Sequence, residues 1–212
     1  MKFYRALVLL PLAAALPSPN LDEVTSGSPD PTQVHIKAIT YGGTGCPQGS
    51  VAYDISDDRT TVTLIFDSYV ASIGPGIVVT ENRKNCQLNV DITYPGGFQY
   101  SIFSADYRGY AAIDAGVTGV LKSTYYFSGQ TAQSSTEYSF VGPVEGDYLK
   151  HDTATSTSVI WSPCGAEGML NINSQVRLTS SNASSSGLLT TDSIDAKFTQ
   201  VVYIGWQTCK SS

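Results

Sequence analysis

His35 and His151 are the first residues to test for acid–base chemistry, because imidazole is the side chain whose ordinary titration range spans neutrality. His35 stands between Val34 and Ile36 in an alternating run and reads as a solvent-facing strand residue. His151 precedes Asp152, a neighbour that could orient an imidazole, yet no G-x-S-x-G nucleophile elbow accompanies the pair. Paired carboxylates are the second chemistry, since glycoside hydrolysis needs only two acids at a set separation and platforms for sugar rings. Asp67, Asp91, Asp106, Asp114 and Glu167 are the candidates, and each reads equally well as an exposed strand acid or a turn cap. Asp57-Asp58 and Asp192-x-x-Asp195 gather hard oxygen ligands without the spacing of a calcium-binding loop, so they read as turn acids. Neither a metal nor a cofactor is expected.

Tyrosines offer binding instead of catalysis. Tyr94, Tyr100, Tyr107, Tyr110, Tyr125, Tyr126, Tyr138 and Tyr148 crowd the middle of the chain, and an exposed row of them would stack on sugar rings or on a protein partner. Alternation puts Tyr125 and Tyr126 on opposite faces, so one of the two points outward.

The elements that must position these groups read as strands in a secreted domain. Lys2 and Arg5 followed by the apolar stretch from Ala6 to Ala15 form a signal peptide, residues 1–15, with small residues for cleavage. Residues 16–33 carry Pro17, Pro19, Pro29 and Pro31 without an apolar period and read as a flexible linker or pro-segment. Residues 34–212 then form one domain. The apolar run near the start is too short to span a bilayer, and no later stretch approaches that length.

Secretion puts the four cysteines in an oxidising compartment, where they favour disulfides over metal or catalysis, and zinc-type spacings are missing. Three connectivities are possible. Nearest-neighbour pairing joins Cys46 to Cys86 and Cys164 to Cys209, and the second pair carries matched W-x-x-C settings at Trp161 and Trp206.

Loss of Lys2 and Arg5 with the signal would reduce the basic residues from 12 to 10 against 18 acidic ones, moving the net charge from −6 to −8. Such a surface repels phosphate backbones, so nucleic acid is not an expected partner. Charged residues make up only 14% of the chain, and Ser, Thr, Gly and Tyr carry its polarity instead.

Period-two alternation dominates from Val34 onward. Val51, Tyr53 and Ile55 precede a Ser56–Arg59 turn into Val62, Leu64 and Phe66; Leu88, Val90, Ile92 and Tyr94 precede Pro95-Gly96-Gly97 and then Phe98, Tyr100 and Ile102. Both breaks read as hairpin turns. About ten short strands and no helical stripe predict an all-β, antiparallel β-sandwich, with a jelly-roll arrangement as one form of it. Asn182-Ala183-Ser184 lies in a Ser-rich surface loop and is a glycosylation sequon.

Several stretches resemble a family of small secreted fungal proteins catalogued as domain of unknown function 4360. They are Gly42-Gly43-Thr44-Gly45-Cys46-Pro47-Gln48-Gly49-Ser50, Phe66-Asp67-Ser68-Tyr69, Arg83-Lys84-Asn85-Cys86-Gln87-Leu88, Tyr94-Pro95-Gly96-Gly97-Phe98, Tyr107-Arg108-Gly109-Tyr110, Trp161-Ser162-Pro163-Cys164-Gly165 and Trp206-Gln207-Thr208-Cys209. The resemblance implies a secreted, disulfide-bonded protein and carries over no catalytic residue. Asp67 and Arg108 are the motif positions that core packing explains least, and the expected binding site gathers Asp67, Asn85, Arg108 and Tyr110. The function these readings favour is binding of cell-wall polysaccharide or of an extracellular protein; the alternative is a polysaccharide-active enzyme with a carboxylate pair.

Overall fold

Val62, Leu64 and Phe66 are buried while Thr61, Thr63 and Ile65 between them are half-exposed, and this period-two burial recurs along most strands. One face of each strand therefore looks into a core and the other into solvent. The computed structural model describes residues 27–154, 159–165, 167–190 and 198–209. The signal peptide expected over residues 1–15 lies outside the described residues, as does Asp192-x-x-Asp195.

Twelve strands in the described residues, numbered along the chain, form two antiparallel sheets packed as a sandwich. The five-stranded sheet runs β1 (His35–Gly42), β5 (Arg83–Thr93), β10 (Glu167–Ser180), β7 (Val117–Phe127) and β8 (Gln133–Val141). The seven-stranded sheet contains β2 (Val51–Ile55), β3 (Thr61–Phe66), β12 (Phe198–Thr208), β6 (Phe98–Ile113), β11 (Gly187–Thr190) and β4 (Ala71–Ile73) in that order, with β9 (Val144–Thr153) paired to β6. The chain crosses repeatedly between the sheets: β1 lies in one, β2 to β4 in the other, β5 in the first again, and β6 in the second.

The Ser56–Arg59 turn joins β2 to β3 as a hairpin. The Pro95–Gly97 turn does not join a hairpin: β5 and β6 belong to different sheets, and their side chains meet across the core instead, Tyr94 packing edge-on against Tyr100 at 5.4 Å. Both strands bury alternate residues, and alternation alone reads the same for a ladder neighbour as for a facing sheet.

Aromatic rings fill much of the space between the sheets. Tyr100, Tyr107, Tyr125, Phe66, Phe127 and Phe198 are each less than 2% exposed. Most of the tyrosine-rich stretch thus faces inward. A buried polar chain crosses the core: Gln200 of β12 donates to Ser123 Oγ at 3.0 Å and Tyr125 Oη at 2.9 Å, and Thr136 Oγ1 lies 2.6 Å from Tyr107 Oη and 3.1 Å from Tyr125 Oη. Satisfied in this way, the hydroxyls fix how one sheet sits over the other.

Both expected disulfides are present, with Cα atoms 5.5 Å apart for Cys46–Cys86 and 5.8 Å for Cys164–Cys209. The matched tryptophans have unlike surroundings. Trp206 packs against Tyr94 and Tyr100 and donates Nε1–H to Arg59 O at 3.0 Å, whereas Trp161 is half-buried and accepts at its carbonyl from Gln130. Ahead of β1, Pro29 is buried and Pro31 O accepts from Arg59 Nε at 3.2 Å. No helix in the described residues is long and apolar enough to cross a membrane.

Candidate binding site

The four residues expected to form a site divide between the two sheets. Arg108 and Tyr110 stand two apart on β6, on the outer face of the seven-stranded sheet, with Leu149 and Asp147 opposite them on β9. Asp67 follows the end of β3 and is exposed, its amide donating to Ser50 O at 2.9 Å. Asn85 lies on β5 of the other sheet, where its Oδ1 accepts from Thr44 Oγ1 at 3.1 Å and its backbone N–H donates to the same Thr44 oxygen at 3.2 Å. The glycines before Cys46 make that contact possible. A Cβ on Gly43 would fall 2.2 Å from Asn85 O, and one on Gly45 would fall 1.9 Å from the Tyr69 ring. Only a chain without side chains at these points can lie so close to β5 and bring Cys46 to Cys86.

His151 finds a different partner from its neighbour in sequence. On a strand Asp152 points to the opposite face, and there its Oδ2 accepts from the Glu137 amide at 2.5 Å. Across the β6–β9 ladder, Asp106 stands directly opposite His151, with Oδ1 2.5 Å from Nδ1. Tyr203 of β12 donates to the other Asp106 oxygen at 2.6 Å, and this bond to a carboxylate raises the phenol's pKa above its ordinary value. Thr153 Oγ1 lies 3.2 Å from His151 Nε2. Carboxylate, imidazole and hydroxyl stand in the order of a nucleophilic relay. The hydroxyl nevertheless sits on the last pair of the ladder, opposite Ser104, and the amide of the following Ala154 donates to Phe103 O at 2.8 Å. That donor is committed to the sheet rather than open to an oxyanion.

The outer face of the five-stranded sheet is built from other groups. On β5, Asn85, Gln87 and Asn89 alternate with buried Cys86, Leu88 and Val90; on β10, Asn173 and Gln175 alternate with buried Ile172, Ser174 and Val176, and Asn171, in step with them, is covered to 6% exposure. Register sets them side by side as Asn85 beside Gln175, Gln87 beside Asn173 and Asn89 beside Asn171. The rows continue onto β7 as Lys122, Thr124 and Tyr126, and onto β8 as Glu137, Ser135 and Gln133. The result is a block of six carboxamides bordered by one tyrosine and two small hydroxyl residues.

Two borders of this face carry paired charges. Lys122 Nζ lies 2.9 Å from Glu137 Oε2 at one side, and Lys37 lies 3.7 Å from both Asp91 and Glu167 at another. Gln87 donates to Asn89 Oδ1 at 3.4 Å, Asn89 donates to Thr40 Oγ1 at 3.3 Å, and Asn171 donates to Ser128 Oγ at 3.0 Å. Asn173 and Gln175 make no side-chain hydrogen bond within the described residues. These two, with Lys122, Thr124, Tyr126 and Gln133, line a hollow of about 280 Å³. The middle row runs from Gly42 on β1 through Gln87, Asn173 and Thr124 to Ser135 on β8.

The sequence carried a signal for this face: amides at i, i+2 and i+4 in both β5 and β10. Reading the alternation for its apolar members selects the core and passes over the polar members that share one outer surface. A larger hollow, about 630 Å³, is lined by Ile73, Ile77, Pro143 and Leu188 together with the polar Ser72, Asp114, Glu145 and Ser186. Asn182 is exposed between β10 and β11, its Oδ1 accepting from Ser184 N at 3.0 Å. Among the described residues no group of three or more His, Cys, Asp or Glu is placed to hold a metal ion.

Comparison with known proteins places the chain in a family. Residues 32–209 match the domain of unknown function (DUF4360). An uncharacterized secreted protein of Arthroderma benhamiae is 59% identical over 188 residues, which cover 89% of this chain and 77% of that protein. Among solved structures, TmCBM61 in complex with β-1,4-galactotriose aligns over 85% of this chain and 92% of its own at 11% identity and a TM-score of 0.25. A Bacillus thuringiensis Cry1Da tryptic core variant aligns over 78% of this chain and 23% of its own at 13% identity and a TM-score of 0.28. Scores this low define neither a shared topology nor a shared ligand. The family match over almost all of the β-sandwich, the secreted relative and the two closed disulfides together make this chain a secreted member of the DUF4360 family.

Proposed function

We propose that the protein is a non-catalytic extracellular glycan-binding protein, that cell-wall polysaccharide is its ligand class, and that the outer face of the five-stranded sheet is its contact surface. One observation carries the reading: six carboxamides form a contiguous block with no charged side chain inside it. A carboxamide donates and accepts at once, as a sugar hydroxyl does, so a neutral amide surface complements a hydroxyl-rich chain without the desolvation cost of an ion. Tyr126 adds an apolar ring to the lining of the hollow. Asn85, expected from the sequence, belongs to this surface, whereas Asp67, Arg108 and Tyr110 form a second candidate surface associated with the other sheet. The carboxylate-pair reading has less support, because Asp91 and Glu167 share Lys37, Asp106 serves His151 and Tyr203, and Asp114 accepts from Ser186 N.

The test is depletion of the purified mature protein from solution by insoluble wall polysaccharides, with soluble sugar products assayed in parallel. Binding without product release, lost in the double variant Asn173→Ala/Gln175→Ala and kept in Arg108→Ala, is the expected result. Loss in Arg108→Ala alone would move the site to the other sheet. Sugar release from any of the polysaccharides would overturn the non-catalytic reading.

A further inference from the structure

Basic side chains are scarce in this acidic protein, and nearly all those in the described residues are engaged. Lys37, Lys84 and Lys122 each hold a carboxylate, Arg59 donates to two carbonyls, Lys150 lies 5.0 Å from the centre of the Tyr138 ring, and Arg108 also has a partner. Arg83 and Arg177 are the exceptions. Both are exposed, and neither has a carboxylate or carbonyl partner among the described residues. They also stand directly opposite one another across the β5–β10 ladder, on the same outer face as the amide block.

Like charges directly opposite in a ladder destabilise a sheet. No acid within the described residues relieves this pair, so the arrangement calls for an anion from outside. We propose that Arg83 and Arg177 form an anion subsite at one end of the amide face, which seats a carboxylate or phosphomonoester carried by the bound glycan. The inference rests on the glycan-binding reading and narrows it to a mostly neutral chain with isolated acidic groups.

Geometry and charge both point that way. Arg83 is two residues from Asn85, and Arg177 is two residues from Gln175, so the guanidinium row lies about 7 Å along the strands from the nearest amide row. That step is short enough for one sugar unit to place hydroxyls on the amides and its acidic group on the arginines. Two planar guanidinium forks can hold carboxylate or phosphate oxygens through paired N–H donors. A net charge of −6 over the whole chain, meanwhile, repels a densely charged polyanion, which favours a sparsely substituted ligand.

The experiment compares three forms of one soluble β-glucan by calorimetry on the intact secreted protein: unmodified, lightly oxidised to the carboxylate at C6, and lightly phosphorylated. At low salt an acidic form should bind about tenfold more tightly than the neutral one, with the gain shrinking as salt is added. Whichever acidic form shows the gain identifies its source as uronate or phosphate. Arg83→Gln and Arg177→Gln should each remove the gain, leave neutral-glucan affinity unchanged, and leave the midpoint of thermal unfolding equal or higher. Equal binding of all three forms by the unaltered protein, or a gain that survives both variants, overturns the subsite while leaving glycan binding intact. Acidic binding that depends on the arginines but survives Asn173→Ala/Gln175→Ala would instead sink the amide-face reading and keep the subsite. Should none of the glucans bind, titration with glucuronate and inorganic phosphate decides: an arginine-dependent response keeps the subsite, and its absence removes it.

Discussion

Asp106, on the outside of the seven-stranded sheet, gives one oxygen to His151 and the other to Tyr203, and His151 in turn reaches Thr153. Asn173 and Gln175, on the outside of the five-stranded sheet, have side chains that reach no partner among the described residues. Both surfaces are polar strand faces over the same aromatic core, yet one satisfies its groups internally and the other leaves donors and acceptors directed at solvent. A network closed on itself adds to stability and offers a ligand little, because each new bond must first break an old one. Open amides contribute little to stability and exchange water for ligand at low cost. The contrast explains why the relay-like trio of Asp106, His151 and Thr153 is the weaker functional candidate despite its familiar order of groups.

Removing the disulfides one at a time probes the contrast with the largest effect. Cys86 sits between Asn85 and Gln87, so Cys46–Cys86 fixes β5 within the amide block itself, whereas Cys164–Cys209 joins the chain ahead of β10, outside the block's own residues, to the end of β12. The bridges close loops of 40 and 45 residues, and each should contribute roughly 4 kcal/mol by the chain-entropy account. Cys46→Ser/Cys86→Ser is expected to lower both stability and glycan binding; Cys164→Ser/Cys209→Ser should lower stability alike and spare binding by the fraction that stays folded. Denaturant unfolding paired with polysaccharide depletion separates the two. Equal binding losses for equal stability losses would break the assignment of function to one face.

The amide face itself is the next step down. Asn173→Ala/Gln175→Ala should weaken glycan binding by about 2 kcal/mol, two net hydrogen bonds, while stability moves by no more than about 0.5 kcal/mol. Asp106→Ala should behave in the reverse sense. It strands His151 and Tyr203, and because the carboxylate is only 22% exposed, a loss of about 1 kcal/mol of stability is expected with glycan affinity unchanged. Chemical denaturation and calorimetry on the two variants, side by side, test the contrast directly. A variant that moved both quantities together would contradict it.

The fold was legible in the sequence where burial and alternation coincide. Val62, Leu64 and Phe66 face one way as expected, and secretion together with the nearest-neighbour rule gave the cysteine pairs. What alternation could not supply was which strands are ladder neighbours, so Tyr94 and Tyr100 read as hairpin partners when they face each other between sheets. The site was harder for the same reason. Asn85 and Arg108 both occupy polar strand positions inside distinctive motifs, and nothing local says that they belong to different sheets. His151 read with Asp152 by adjacency, although adjacent strand residues point apart and a cross-strand residue, Asp106, was the partner. The amide block needed registration of β5 with β10, two strands separated by more than seventy positions, and only folding brings their short polar repeats together.

The smallest effect tests the closed face through the phenol of Tyr203. Tyr203 donates to Asp106 Oδ2, and ionising the phenol would put a second negative charge beside the carboxylate, so its proton is held more tightly in the folded protein than in the unfolded chain. A group whose pKa is raised by folding contributes stability that is fully present below its unfolded value, about 10 for tyrosine, and is lost as pH rises through the folded value. The difference in phenolate absorbance between the protein and Tyr203→Phe should therefore appear only above the ordinary tyrosine range. In Asp106→Asn the acceptor loses its charge, and the same difference should move down toward that range. The buried Tyr107, Tyr125 and Tyr148, whose proton release burial also delays, cancel in the subtraction. If Tyr203 titrated at the ordinary value in the native protein, the closed network on the seven-stranded sheet would be looser than the geometry indicates, and the His151 side of that face would regain its claim as an open site.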